Sequence, residues 1–113
     1  MAYKLVRQSA WIELKKELFA NYPVCQYCFK NIATQLMHAL FYKRYLPGQK
    51  NAKVRDVREN ALPGCDDCQK FSETYEGRCH AWKMLCKREG AEHMLEWYNN
   101  FPAKIKEVFV EVC

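Results

Sequence analysis

Two Cys-x-x-Cys pairs, Cys25-Gln26-Tyr27-Cys28 and Cys65-Asp66-Asp67-Cys68, constrain this chain more than any other feature. Each pair makes a short turn that lets both thiolates point at one metal, with backbone amides supporting the sulfurs. Four thiolates complete a tetrahedral site, which fixes a fold and leaves no open coordination position. The expected ion is a structural Zn2+ held by Cys25, Cys28, Cys65 and Cys68. A chain of 113 residues has room for a modest core only. A bound metal supplies stability that such a core lacks.

Half the residues are apolar and 14% are aromatic, which excludes a disordered chain and favours a single domain over 1–113. The start, MAYKLVRQSAW, lacks the long apolar core of a secretory signal, and no apolar run reaches the length of a membrane span. Both point to the cytoplasm, where thiols stay reduced and paired cysteines signal metal rather than disulfides. The odd count of seven cysteines also argues against a complete set of internal bridges. A net charge of +5 and a pI near 8.8 favour an acidic partner such as nucleic acid, although many basic proteins bind none.

Ser9 is placed to cap a helix over about Ala10 to Ala20, with Trp11, Leu14, Leu18 and Phe19 on its apolar face and Trp11 as a core anchor. Asn21, Tyr22 and Pro23 stop it ahead of the first Cys pair. Ile32 to Phe41 is the strand or hairpin candidate, and His38 sits inside it. Tyr42 to Glu59 is the most polar stretch, with a turn at Pro47-Gly48. Its cations Lys43, Arg44, Lys50, Lys53, Arg55 and Arg58 suit either a solvated loop or one that contacts phosphates. Pro63-Gly64 reads as the turn into the second Cys pair.

From Gln69 the pattern turns helical, and Phe71, Tyr75, Cys79, Trp82 and Cys86 form one apolar stripe. Cys79 and Cys86 then read as core thiols, with a metal role for Cys79 and His80 as the lesser reading. Gly77 is the expected weak point of this helix and Gly90 its end. Ala91 to Asn99 forms another helix with Met94, Leu95 and Tyr98 inward, and Ala103 to Val112 fits a last amphipathic helix better than a strand through Val108-Phe109-Val110. Trp82, Trp97, Tyr98, Phe101 and Phe109 either build the helical core or face a protein partner, as an adaptor or inhibitor would.

Trp11 ahead of a basic helix, a Cys-x-x-Cys pair, His38 ten residues on, Asn60, and a second pair five residues after it together resemble the HNH endonuclease family. The segment Asn60-Ala61-Leu62-Pro63-Gly64-Cys65-Asp66-Asp67-Cys68 carries the resemblance in spacing and residue type. The likeness covers about Gln8 to Tyr75. It implies an α+β, mostly helical fold: a small zinc-stabilised ββα-metal core over about 9–75, with an N-terminal helix and a helical C-terminal extension over about 76–113. The zinc-stapled members are common in phages and mobile elements, which would place a phage-encoded chain in the host cytoplasm.

The resemblance also implies a chemistry: metal-dependent endonuclease or nickase cleavage of DNA, double-stranded by expectation. His38 takes the general-base position and Asn60 the amide that orients that base or supports its loop. Met37 stands where the family carries a metal-binding Asp or His, and Gln69 where it carries a His or Asn. Met37 offers Mg2+ only a soft thioether. Gln69 offers an amide oxygen, and Glu73, one helical turn on, could complete a site for Mg2+ or another divalent ion. A shifted register would make His38 the ligand and put Ala39 at the base, which favours a catalytically inactive module that keeps DNA or protein binding.

Overall fold

The computed structural model describes residues 2–42 and 47–106. Its first helix, α1, runs over Ala2–Asn21 and so begins ahead of Ser9, which lies inside the helix rather than capping it. The segment from Ala2 to Gln8 contains mostly good helix formers and no glycine or proline, so nothing halts the helix there. Its end is as expected: Asn21 Nδ2 donates to Glu17 O at 3.1 Å, and Pro23 follows. Trp11, Leu14, Leu18 and Phe19 share the inward face, with Leu18 fully buried.

The first Cys pair sits at the tip of a small ladder. Val24 bridges Ile32, and Cys25 N donates to Asn31 O at 2.8 Å. Strand β1 follows at Gln35–His38 and pairs antiparallel with β2 at Ala61–Gly64, placing Gln35 opposite Gly64 and His38 opposite Ala61. β1 is shorter than the sequence suggests because the N–H groups of Leu40 and Phe41 turn onto the Asn60 side chain instead of a strand. Pro63 and Gly64, expected as a turn, are strand residues. Pro63 O accepts from Gln26 N at 2.9 Å, and a Cβ on Gly64 would lie 2.9 Å from Met37 Cε. That close approach of Met37 is what the missing side chain permits.

The polar stretch between the strands is shaped by short helical turns, among them α2 at Ala52–Arg55. After the second Cys pair come α3 (Gln69–Ser72), α4 (Tyr75–Glu89), α5 (Ala91–Asn99) and α6 (Ala103–Lys106). The break falls at Glu73-Thr74, not at Gly77. Thr74 Oγ1 caps α4 by accepting from Gly77 N at 2.9 Å. Gly77 is needed because a Cβ there would sit 1.8 Å from Phe71 O. The break splits the expected stripe. Phe71 and Tyr75 are exposed, whereas Cys79, Ala81 and Leu85 are buried. Cys79 is disulfide-bonded, so it is neither a free core thiol nor a metal ligand.

Gly90 ends α4 with φ 97°, and its N–H donates to Cys86 O at 2.9 Å. On α5, Met94 is buried and Tyr98 packs on the core, but Leu95 is exposed. The predicted helix beyond Lys106, with Phe109, lies outside the described residues. Phe41, Leu40, Leu62, Leu18, Leu85 and Met94 are fully buried at the centre. Trp97 and Phe101 meet Phe41 edge-on at centroid distances of 5.8 and 5.6 Å. Burying Phe41 contributes about 2–3 kcal/mol. The described C-terminal aromatics Trp82, Trp97, Tyr98 and Phe101 pack against the core and are each partly buried. The result is a small, mostly helical α+β fold with a two-stranded sheet. Among the described residues no helix is long and apolar enough to cross a membrane.

Candidate functional site

The strand pairing brings the two Cys pairs together. The Sγ atoms of Cys25, Cys28, Cys65 and Cys68 all lie within 4.8 Å of one another, and Cys28 and Cys65 are 3.9 Å apart. Sulfurs bound at about 2.3 Å around a tetrahedral ion stand roughly 3.8 Å apart, so this cluster could hold a metal ion with little movement. Donors already face the sulfurs. Tyr27 N lies 3.4 Å from Cys25 Sγ, Lys30 N 3.5 Å from Cys28 Sγ, and Asn31 Nδ2 3.4 Å from Cys65 Sγ.

The electrostatics are split across the cluster. Backbone N–H groups of Lys30 and Asn31 lower the Cys28 thiol to about 6, and the Asn31 amide lowers Cys65. Burial raises Cys25 and Cys68. A bound cation would supply the charge that holds these two buried thiols as thiolates.

Asp66 and Asp67 latch the two knuckles together. Asp66 Oδ1 accepts from Thr34 Oγ1 at 3.1 Å and from Gln35 Nε2. Asp67 Oδ2 accepts from Asn31 at 3.3 Å. His80, on α4, donates from Nε2 to Gln26 O at 2.7 Å, so it braces the first knuckle through the backbone.

His38 ends β1, and its ring is held on two sides. Nε2 lies 2.8 Å from Asp56 Oδ1, and the indole of Trp11 stacks on the imidazole with centroids 4.4 Å apart and planes 3° from parallel. Trp11 is thus half-buried against a candidate site residue and is not a core anchor. Asp56 is itself gripped by Arg55, whose Nε and Nη2 reach its two oxygens at 2.8 and 2.9 Å. Burial disfavours the Asp56 carboxylate, but Arg55 and then His38 outweigh it and hold its pKa below the usual range. An ionised Asp56 only accepts, so His38 Nε2 carries the proton and Nδ1 the lone pair of the neutral ring.

A cleft of about 250 Å³ lies beside this pair. His38, Gln69 and Glu73 all line it, together with Met37, Tyr42 and Ser72. Met37 is 7% exposed and lies over Gly64. Among the described residues only the four cysteines form a cluster of three or more His, Cys, Asp or Glu able to share an ion. Gln69 and Glu73 are therefore neighbours of His38, without a preassembled carboxylate cage. Asn60 is fully buried and serves the loop. Its Oδ1 accepts from Leu40 N and Phe41 N at 2.7 and 2.8 Å. Its Nδ2 donates to Phe41 O and Arg55 O at 2.9 and 2.8 Å.

The candidate basic surface is smaller than its sequence suggests. Lys50 and Lys53 are exposed. Arg55 is buried and paired with Asp56. Arg58 binds Glu17 at 2.7 Å and Glu89 at 2.8 Å. Both arginines hold the fold together, because carboxylates of the chain itself already occupy them. Lys43 and Arg44 lie outside the described residues. Asp56 is the site residue that the sequence hid. It stands between Arg55 and Arg58 in a mixed-charge stretch, and nothing local distinguishes it from their counter-charge. No family model, curated protein or solved structure matches this chain.

Proposed function

We propose that the chain is a zinc-stapled, HNH-like nucleic-acid-binding protein that hydrolyses phosphodiester bonds in double-stranded DNA, as an endonuclease or nickase, with His38 as general base. The His38–Asp56 pair beside the cleft of Gln69 and Glu73 is the observation that carries this reading. The order of elements supports it: an antiparallel strand pair, His38 at the end of β1, and a helix directly after the second Cys pair.

In this reading Zn2+ on the four thiols is structural, because a four-sulfur set leaves no position for substrate. Gln69 and Glu73 are the oxygen donors that would hold Mg2+ or another divalent ion at the cleft, with water completing its shell. When bound, that ion supplies charge stabilisation for the leaving oxygen. His38 Nδ1 takes the proton of the attacking water. Asp56 holds the opposite proton on Nε2 and stabilises the imidazolium that forms, while Trp11 fixes the ring plane. Asn60 acts one step further back, by clamping the chain that leaves His38.

The experiment is plasmid nicking by zinc-loaded protein with Mg2+, Mn2+ or Ni2+. Cleavage that His38→Ala abolishes is the expected outcome, and no cleavage with any of the three ions rejects the enzyme. A second reading, a binding module without catalysis, has its own support in the burial of Met37 at the position where the family carries a ligand. It predicts salt-sensitive DNA affinity that His38→Ala leaves intact and that neutralising Lys50 and Lys53 weakens.

A further inference from the structure

The first knuckle ends on a residue that metal binding does not explain. Phe29 follows Cys28 with φ 58°, a left-handed conformation that favours glycine. The conformation itself has a use: Phe29 N donates to Cys25 O at 3.0 Å, and the next N–H faces Cys28 Sγ at 3.5 Å. Glycine would make the same turn with less strain, so the ring needs a separate reason. The core is not that reason, because Phe29 is 52% exposed.

The ring stands over His80 with centroids 6.3 Å apart, and His80 is held in place by Gln26 O. Phe71, also exposed, lies 6.4 Å from the same imidazole. Phe29 and His80 open an apolar groove of about 740 Å³ along α4, whose wall includes Trp82, Met84 and the exposed Lys83 and Lys87. No carboxylate is among the described residues that line it. Lys83 and Lys87 are one helical turn apart on one face. An apolar peptide would use the rings but not this acid-free pair of cations. Unpaired nucleotides use both, since any base stacks on an aromatic face and its phosphate seeks a cation.

We propose that this groove binds single-stranded nucleic acid, with an unpaired base stacked on Phe29 beside His80 and the adjoining phosphates on Lys83 and Lys87. It shares no lining residue with the His38 cleft. The binding therefore stands or falls separately from the hydrolysis.

Fluorescence anisotropy of the full, metal-loaded chain with short labelled oligothymidylate, oligouridylate and a duplex of equal length tests this. Phe29→Gly suits the left-handed turn, so metal content and circular dichroism should be unchanged, while single-strand affinity drops about tenfold and duplex affinity holds. Removing Lys83 and Lys87 together should lower the slope of log affinity against log salt by about 1.4. Binding of either oligomer supports the site. Phe29→Gly binding single strands within about twofold of the parent would overturn the proposal. So would a dimer that Phe29→Gly converts to monomer, which would make the groove a self-interface. His38→Ala should leave oligomer binding intact. Loss of cleavage alone therefore tells against the hydrolytic reading and not this one.

Discussion

Asp56 sets the behaviour of the residues around it. Its carboxylate joins the buried Arg55 guanidinium to the His38 ring. Because its folded pKa is depressed, its stabilising contribution is fully present above the unfolded value of about 3.9 and is lost as pH falls through the folded one. The stability gap between the parent and Asp56→Asn should therefore shrink as the pH falls through the range in which Asp56 takes up its proton. Urea midpoints measured from pH 7 down to 3 would show it, and a gap independent of pH would contradict the assignment. Asp56→Ala also takes the carboxylate from a buried guanidinium and should cost about 3 kcal/mol. If the chain cleaves DNA, Asp56→Asn should slow cleavage while metal content stays unchanged, because it disturbs the tautomer of His38 and not the cysteines. His38→Ala should lower the rate by about a hundredfold or more. The sequence made His38 conspicuous through its distance from the Cys pairs. It could not make Asp56 so, because the contact spans eighteen residues and depends on how the polar stretch folds back.

Among the elements, the α3–α4 junction is where pattern and structure part. Helical periodicity continues through Gln69 to Cys86 in the sequence, and Gly77 is the obvious place to break it. The chain instead breaks two residues before Tyr75, because Thr74 caps a new helix and α4 must cross the end of α3. Gly77→Ala, which would improve an ordinary helix, should destabilise this one by about 2 kcal/mol or more, since the neighbour is the backbone oxygen of Phe71 and cannot give way. Thr74→Ala should cost about 1 kcal/mol. Thermal unfolding of the two variants checks both, and a stabilised Gly77→Ala would refute the close crossing. The strand β2 was illegible for a related reason. Pro-Gly signals a turn locally, and only pairing with Leu36 and Gln35 across the sheet makes it a strand. The α1 face and the end of α4 at Gly90 depend on short-range rules and could be read directly.

At the scale of the molecule, the thiol cluster joins the segments on either side of the polar stretch. A sheet of two four-residue strands is not stable alone. The thiol cluster at one end and the aromatic core at the other are placed to hold it. Elemental analysis should find one zinc per chain, and Cys65→Ser should unfold the protein; a metal-free, fully folded protein would overturn the four-thiol assignment. A second brace runs through Arg58, which links Glu17 of α1 to Glu89 of α4. Arg88 also reaches Ala61 O and Arg58 O at 2.7 and 2.6 Å. These ties keep α1 seated so that Trp11 rests on His38. Asn60 joins the exit of β1, the end of α2 and the start of β2 through one amide whose two acceptor and two donor bonds are all engaged. Aspartate has its shape but cannot donate to two carbonyls, and glutamine has its groups on a longer stem. In a saturation library selected only for folded protein, position 60 should tolerate fewer alternatives than any residue of the cleft, with aspartate among the rejected.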